Sequence, residues 1–266
     1  MDWALFDQEG AIRQRFLELD DQAEEVRDVI GELDKDGFLD LYDTSWIYHE
    51  NALEGVVVTS PEIRSAIDNR VVSDVSLLPT YRDIKAQKQC IDMIRDKAQS
   101  KRFTMSVEFL EQLHLLLAPT EDSVTRWRKD VPIHRTYFHE ILQPGLIREG
   151  LDEVIASMKG RHRDMHPIEL AANIHHRFMK VFPFTTHSGF LGRLVLNFIL
   201  IRHDYLPAVI HASDRQRYYQ ALRDSDAEFR TFLCETMENA FDNTIKHFHG
   251  RHVPTKTTGV SQPAAG

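Results

Sequence analysis

The sequence predicts an all-α fold, and two observations support this prediction. Apolar residues recur at helical spacing along most of the chain, and runs with the alternation typical of strands are scarce. The chain has 266 residues, of which 42% are hydrophobic. That is enough to bury the core of one large domain, or of one domain with an appendage.

The first segment carries a narrow apolar stripe whose spacing alternates between four and three residues. Its members are Ile12, Phe16, Leu19, Ala23, Val26, Ile30 and Leu33. This pattern predicts an amphipathic helix, and we assign residues 1–44 to an N-terminal helical extension. Because three heptads are near the lower limit for a coiled coil, two partners are open: a second copy, giving a homodimer, or the rest of its own chain.

The next helical pattern stops at Gly55, which is followed by a new helix start. Thr59 or Ser60 can serve as the N-cap, Pro61 suits a first helical position, and Glu62 lies in the first turn. Further helices are predicted at 81–99, 105–117, about 146–160, 167–181, 189–202, 214–222 and about 228–247.

Two segments do not follow the helical pattern. Residues 118–147 combine prolines with β-branched and aromatic residues, which predicts an irregular segment with a short β-hairpin at about 128–142. Residues 251–266 have almost nothing to bury, so a disordered tail is predicted there.

Charge and cysteine content narrow the functional class. The net charge is −9, with 32 basic against 41 acidic residues, which disfavours nucleic acid and membrane surfaces as partners. No apolar run approaches the length of a membrane span, and the acidic start MDWALFDQEG does not resemble a signal peptide. Cys90 and Cys234 lie far apart and outside any metal-binding spacing. These features predict a cytoplasmic protein with free thiols.

The stretch from His166 to Leu200 reads as two helices joined by a small polar loop. The helix beginning near Gly189 directs its free N–H groups at this loop, an arrangement that attracts phosphate or carboxylate. Gly189 and Gly192 allow a ligand or another backbone to come close. Arg193 and Asn197 are one turn apart, so both can face the same pocket. An ordinary connection between two helices fits the same spacing.

This stretch resembles the core of the Fic (Fido) domain family, whose motif reads H-P-F-x-D/E-G-N-G-R/K-x-x-R. Here the aligned residues, 182–193, read F-P-F-T-T-H-S-G-F-L-G-R. The flanking segments HPIELAANIHHRF and NFILIRHDYLPAVIHASDRQRYYQAL also resemble the family, and the resemblance covers roughly residues 45–245. It implies a Fic-like helical domain at 45–250 with a short β-hairpin known as the flap.

Several motif positions depart from the family pattern. In active members the motif histidine deprotonates a target hydroxyl, and here that position is Phe182. The acid that holds Mg²⁺ on the nucleotide is replaced by Thr186, a poor ligand for a hard cation. The next position, a glycine in the family, is His187, whose Cβ resists a positive φ. The first basic residue, a phosphate partner, is Phe190. Phosphoryl and nucleotidyl transfer depend on positioning and charge neutralisation, so little of that chemistry should remain.

The remaining site residues are assigned through the resemblance. A nucleotide or another anionic ligand would meet Ser188, Gly189, Gly192, Arg193, Asn197 and Tyr219, whereas Mg²⁺ is disfavoured and no metal site is predicted. His187 is titratable near neutral pH and is the candidate for a relocated catalytic base. A histidine at the place of His175 supports the loop from inside in the family, so we interpret it as structural.

The segment HENALEGVV, 49–57, resembles the family's regulatory motif S/T-x-x-x-E-G/N. In the family this glutamate, here Glu54, reaches the last motif arginine, here Arg193, and obstructs the nucleotide's outer phosphate. The Ser/Thr position is Glu50, which is a departure. If catalysis has been lost, a structural ion pair joining two helices is the better interpretation of Glu54 and Arg193.

The segment RWRKDVPIHRTYFHEI resembles the flap, which aligns a target side chain in active members. A locally basic cluster of Arg128, Lys129, His134 and Arg135 makes it a candidate contact for a protein partner, although a solvated edge has the same composition.

Two functions therefore stay open, and so does the question of whether the chain is an enzyme. The favoured hypothesis is a protein that resembles protein adenylyltransferases, which transfer AMP from ATP, but has a degraded catalytic motif. It would be a pseudoenzyme or a regulator that binds a ligand or partner. The alternative is an enzyme that uses the same pocket for a different transfer or modification, with His187 and Arg193 in the site.

Overall fold

The computed structural model describes residues 3–33, 35–68, 75–119, 127–133, 139–159 and 165–251. Over these ranges the chain forms the α-helices α1 (Trp3–Leu33), α2 (Lys35–Leu53), α3 (Ser60–Ile67), α4 (Leu78–Gln99), α5 (Val107–Leu117), α6 (Ile147–Lys159), α7 (Pro167–Val181), α8 (Ser188–Arg202), α9 (Arg215–Asp224) and α10 (Asp226–Arg251). Three short 3₁₀ helices precede α4, α6 and α9. The predicted all-α fold is confirmed.

Helix α1 packs on its own chain. Phe16, Leu19, Ala23 and Val26 of the predicted stripe are buried, and α1 lies along α10. At this contact the guanidinium of Arg15 donates to both carboxylate oxygens of Glu238, at 2.5 and 2.8 Å. Of the two partners that the stripe left open, the structure therefore shows packing within the chain. The proposed boundary after residue 44 falls inside α2, and residues 252–266 of the proposed tail lie outside the described residues.

The break between α2 and α3 follows the sequence prediction. Gly55 has φ +82°, in the left-handed region that favours glycine. Thr59 is the N-cap of α3, where its hydroxyl accepts from the N–H of Glu62 and the Glu62 carboxylate accepts from the Thr59 N–H. This capping box fixes the direction of the chain as it leaves the end of α2.

Helices α7 and α8 form the centre of the molecule. Every residue of α8 from Ser188 to Leu200 is buried, and α8 packs on both α7 and α4. A Cβ at Gly192 would lie 2.9 Å from Cδ1 of Phe178 and 3.1 Å from Sδ of Met179, so the absence of a side chain allows α8 to approach α7. None of the described helices combines the length and apolar character that a bilayer crossing requires.

The predicted β-hairpin is not seen in the described part of residues 128–142. Residues 134–138, which include His134 and Arg135, lie outside the described residues. Trp127 instead forms an isolated antiparallel bridge with Phe184. The basic cluster also needs a correction, because Arg128 is buried and cannot present its charge to a partner, whereas Lys129 is exposed.

Substitution of Gly192 by alanine is expected to destabilise the protein. The overpacking against Phe178 and Met179 costs about 1–3 kcal/mol, which exceeds the roughly 1 kcal/mol that alanine gains over glycine in a helix. Gly31→Ala in α1 is the matched control, because nothing lies within 4 Å of its added Cβ. Urea unfolding should show a lower free energy of unfolding for Gly192→Ala and an unchanged or higher one for Gly31→Ala. A gain in stability at both positions would contradict the close approach of α7 and α8.

Candidate functional site

The loop between α7 and α8 begins and ends with a non-glycine residue in the left-handed conformation. Phe182, the C-cap of α7, has φ +42°, and His187, the N-cap of α8, has φ +59°. Such conformations cost a residue with a side chain roughly 1 kcal/mol or more, so the surrounding structure must impose them. The histidine thus adopts the positive φ that its Cβ was expected to resist.

Arg128 holds the first of these two turns. Its buried guanidinium donates to the carbonyl oxygens of Phe182 at 2.6 Å and of Val181 at 2.9 Å, and also to that of Leu142. Its backbone N–H donates to the carbonyl of Pro183 at 3.1 Å. The carbonyl groups of residues 181–183 end α7 or follow it, where the helix has no N–H groups left for them. A cation at this end also complements the helix dipole.

Inside the loop, the side chains satisfy one another. The hydroxyl of Ser188 accepts from the N–H of Phe184 and donates to its carbonyl, at 2.8 and 3.0 Å. The ring of Phe184 lies between His114, which stacks on it with centroids 4.4 Å apart, and Trp127. Thr186 Oγ1 lies 3.4 Å from Nε2 of His114. The loop is therefore held by contacts between its own side chains and by His114 of α5.

Arg193 is the central charge of the site. Its side chain is 1% exposed, and its Nε donates to Oε2 of Glu50 at 2.7 Å while its Nη2 donates to Oε1 of Glu54 at 3.1 Å. The predicted contact between Glu54 and Arg193 is therefore present. Glu50 is a second partner, and it is the more buried one, with its side chain 3% exposed against 29% for Glu54.

The buried carboxyl group of Glu50 depends on Arg193 to stabilise its charged form. Burial raises the pKa of this carboxyl group, and the guanidinium of Arg193 opposes that change. The indole N–H of Trp46 also donates to Glu50, at 3.2 Å. Since an unpaired charge is costly to bury, each of the two ions depends on the other.

Glu54 lies directly over the start of α8. A Cβ added to Gly189 would be 2.7 Å from Oε1 of Glu54, so glycine is the residue that allows the carboxylate to come this close. The N-terminal end of a helix is a favourable position for an anion. A carboxylate of the protein itself therefore takes the place that the sequence suggested for a phosphate.

His175 and Tyr218 support Arg193 from the opposite side. The hydroxyl of Tyr218 accepts from Nη1 of Arg193 at 3.4 Å and lies 2.9 Å from Nε2 of His175. Burial lowers the pKa of His175 to about 3, so its ring is neutral at physiological pH. His175 is fully buried and its ring stacks on Phe229, so its contacts lie in the core between α7, α9 and α10.

A cleft of about 330 Å³ opens in front of the loop. Its described lining comes from α2 and the residues after it, from α4, from Pro132, and from the loop with the first turn of α8. The lining residues are Glu50, Asn51, Glu54, Val56, Thr80, Asp83, Gln87, Pro132, Phe182, Thr185, Thr186, His187, Ser188, Gly189 and Phe190.

The structure places the remaining predicted residues in different surroundings. His187 lines the cleft. Asn197 is fully buried, and its amide is bonded at both ends to the backbone of Ala208, which anchors the segment after α8. Gly192 faces α7, and Tyr219 lines a separate groove between α9 and α10, with the guanidinium of Arg215 over its ring.

Comparisons with known proteins agree on the family. Residues 104–200 match the model of the Fic/DOC family. Protein adenylyltransferase Fic from Drosophila mojavensis is 23% identical over 207 residues, which are 74% of this chain and 40% of the relative. The protein of that name from Nematostella vectensis is 21% identical over 189 residues, 70% of this chain and 44% of the relative.

Residues 104–200 of the chain are therefore similar to the Fic/DOC family. The chain spans less than half the length of these curated relatives. Two solved structures share its fold. A Fic domain containing signaling protein from Bacteroides thetaiotaomicron matches 89% of this chain and 97% of its own, with a TM-score of 0.74 and 20% identity. Fic-1 from C. elegans matches 92% of this chain and 76% of its own, with a TM-score of 0.76 and 19% identity.

Mg²⁺ does not fit the loop between α7 and α8. Residues 182–187 contain no carboxylate, and the hydroxyl of Thr186 is directed at the His114 ring. Among the described parts of the chain, no three His, Cys, Asp or Glu side chains are grouped so as to hold a metal ion.

Three residues that form or support the cleft are not found by sequence reasoning. In the motif Glu50 is only a departure at a Ser/Thr position, although its spacing of four residues from Glu54 predicts that both lie on one helical face. The basic segment around Arg128 predicts a surface charge, and Asp83 belongs to none of the motifs. Nothing in the local sequence relates Asp83 to the loop, because the packing of α4 against α8 brings them together.

The two glutamates are expected to differ in their contribution to stability. Glu54→Ala removes the partly exposed carboxylate and should lower the free energy of unfolding by on the order of 1 kcal/mol. Glu50→Ala removes the buried carboxylate and should lower it by on the order of 3 kcal/mol. Urea unfolding of both single variants, of Arg193→Ala and of the two double variants would give the coupling energies. Additive losses for either pair would mean that the two residues do not interact.

His175 should make the stability of the protein depend on pH. Burial lowers its pKa from an ordinary 6.5 to about 3, so between these values the unfolded chain binds a proton that the folded protein excludes. Stability is therefore fully present above about pH 6.5 and is lost as the pH falls, at up to about 1.4 kcal/mol per unit for this group. Unfolding free energies measured from pH 7 to 4 should fall less steeply for His175→Gln than for the wild type. Equal slopes would contradict a neutral buried ring.

Proposed function

We propose that this protein is a Fic-fold regulator that binds a partner and does not transfer AMP. The observation that carries this proposal is the pairing of Arg193 with two carboxylates. Its guanidinium is buried and bonded to Glu50 and Glu54, so its charge is already neutralised within the protein. A nucleotide phosphate would have to displace an internal carboxylate and would then face the remaining one.

The side chains of the loop support the same proposal. Phe182, at the position of the family's base, has no group that can accept a proton, and it is held in place by the contacts of Arg128. Thr186 replaces the metal-binding acid and Phe190 replaces a phosphate partner. Transfer of a nucleotidyl group depends on a positioned base and on charge neutralisation, and neither is provided by these residues.

A second function, that of an enzyme with a different transfer reaction, has one observation in its favour. His187 lines the cleft close to Asp83, whose pKa is raised by burial and lowered in opposition by the His187 ring. A carboxylate beside a histidine can orient the ring and stabilise its protonated form. In this function Arg193 would still be held by its carboxylates, and the substrate would be one without phosphate groups.

Purified protein incubated with labelled ATP and Mg²⁺ is expected to show no self-modification above a heat-denatured control. Phe182→His alone should not restore transfer, because Thr186 and Phe190 leave the metal ion and the phosphates without ligands. Glu54→Ala should not raise the signal either, since Glu50 still pairs with Arg193. Labelling of the wild type that is lost in His187→Ala would overturn the proposed function and would identify His187 as a relocated base for nucleotidyl transfer.

A further inference from the structure

The cleft in front of the loop has an excess of negative charge. Among the described residues that line it there are three acids, Glu50, Glu54 and Asp83, one histidine, His187, which interacts electrostatically with Asp83, and no lysine or arginine. One guanidinium, that of Arg193, lies behind the lining and pairs with two of these acids. Asp83 is on α4, on the other side of the opening, and it does not share this partner. An anion entering the cleft would therefore be repelled, whereas a cation would be attracted.

The rest of the lining suits the aliphatic part of a long cationic side chain. Phe182 and Phe190 contribute aromatic surface, and Val56 and Pro132 contribute apolar surface. Lysine and arginine bury their methylene groups against apolar surface while their charged ends reach polar groups. A cation beside an aromatic ring gains a further electrostatic attraction. A volume of about 330 Å³ is small for a ligand cleft, since these span about 300–1,000 Å³.

Several exposed apolar side chains lie within two residues in sequence of residues that line the cleft. Val57, next to the lining residue Val56, is 93% exposed, and Ile133, next to the lining residue Pro132, is 75% exposed. Leu78 is also exposed and lies two residues before the lining residue Thr80. A single exposed apolar residue is ordinary, but a group around one opening is typical of an interaction surface. A small cation inside the cleft would leave this rim uncovered, whereas a polypeptide would cover it.

We propose that the cleft receives a lysine or arginine side chain of a second protein, whose neighbouring apolar residues cover Val57 and Ile133. This inference rests on the proposed function, because it assigns a partner to the same site. Asp83 is the main contact for the cation, since it is the cleft carboxylate that Arg193 does not hold. The apolar rim contributes area, and the carboxylate selects the basic residue against neutral and acidic ones.

A library of random nine-residue peptides displayed on phage tests the proposal against the immobilised full chain. The enriched sequences should carry lysine or arginine at one fixed position with apolar neighbours. The consensus peptide is then synthesised with a fluorophore, and its affinity is measured by anisotropy. Replacing its basic residue by citrulline or norleucine should weaken binding by about tenfold or more, as expected for the loss of a hydrogen bond to a charged group.

Matched variants of the protein locate the binding site. Asp83→Asn should weaken binding of the consensus peptide by about tenfold, whereas Asp96→Asn, an exposed acid on the same helix and outside the cleft, should leave it unchanged. Val57→Ser should also weaken binding, and Leu17→Ser, an equally simple loss of exposed apolar surface on α1, should not.

Three results would overturn the inference: no enriched peptide, a consensus without a basic residue, or equal binding by Asp83→Asn and Asp96→Asn. The proposed function fails by a different result, namely transfer of label from ATP by the wild-type protein. Peptide binding and label transfer are separate measurements, so the failure of one proposal can be distinguished from the failure of the other. Using the same preparation for both excludes differences between protein samples.

Discussion

The buried guanidinium of Arg193 is the charge on which the site depends. In the core of a helical protein, an unpaired cation would cost several kcal/mol, and here Glu50 of α2, Glu54 just after α2 and the hydroxyl of Tyr218 satisfy it together. The ion pairs join α2 to α8, and Tyr218 adds α9. Through this single residue the position of α2 determines what occupies the start of α8.

The loop is shaped by a second buried arginine. Left-handed turns at Phe182 and His187 are unfavourable for side chains with a Cβ, and Arg128 compensates for the first of them by bonding the carbonyl groups around it. Phe182 therefore keeps its place without the glycine that such a turn usually requires. The loop conformation therefore depends on contacts from outside the loop.

These two arginines have opposite consequences for ligands. Arg128 is bonded to neutral carbonyl groups and keeps the loop in shape, whereas Arg193 is neutralised by carboxylates and so adds no net attraction for phosphate. With Asp83 also in its lining, the cleft carries an excess of acidic side chains over lysine and arginine among the described residues. Side chains that pair inside the protein, and not only those that face the ligand, decide which charge the cleft accepts.

The sequence by itself determined the helices, because apolar spacing, Gly55 and the capping box at Thr59 act locally. It also indicated the contact between Glu54 and Arg193, through a motif shared with a family. It could not show that Arg128 is buried, since a basic residue beside prolines looks the same in a surface loop. Nor could it relate Asp83 to His187 or Glu50 to Arg193, residues more than a hundred positions apart. Those pairs exist because α4 packs against α8 and because Glu50 of α2 reaches Arg193 of α8, and only the tertiary structure fixes which long-range neighbours share a cavity.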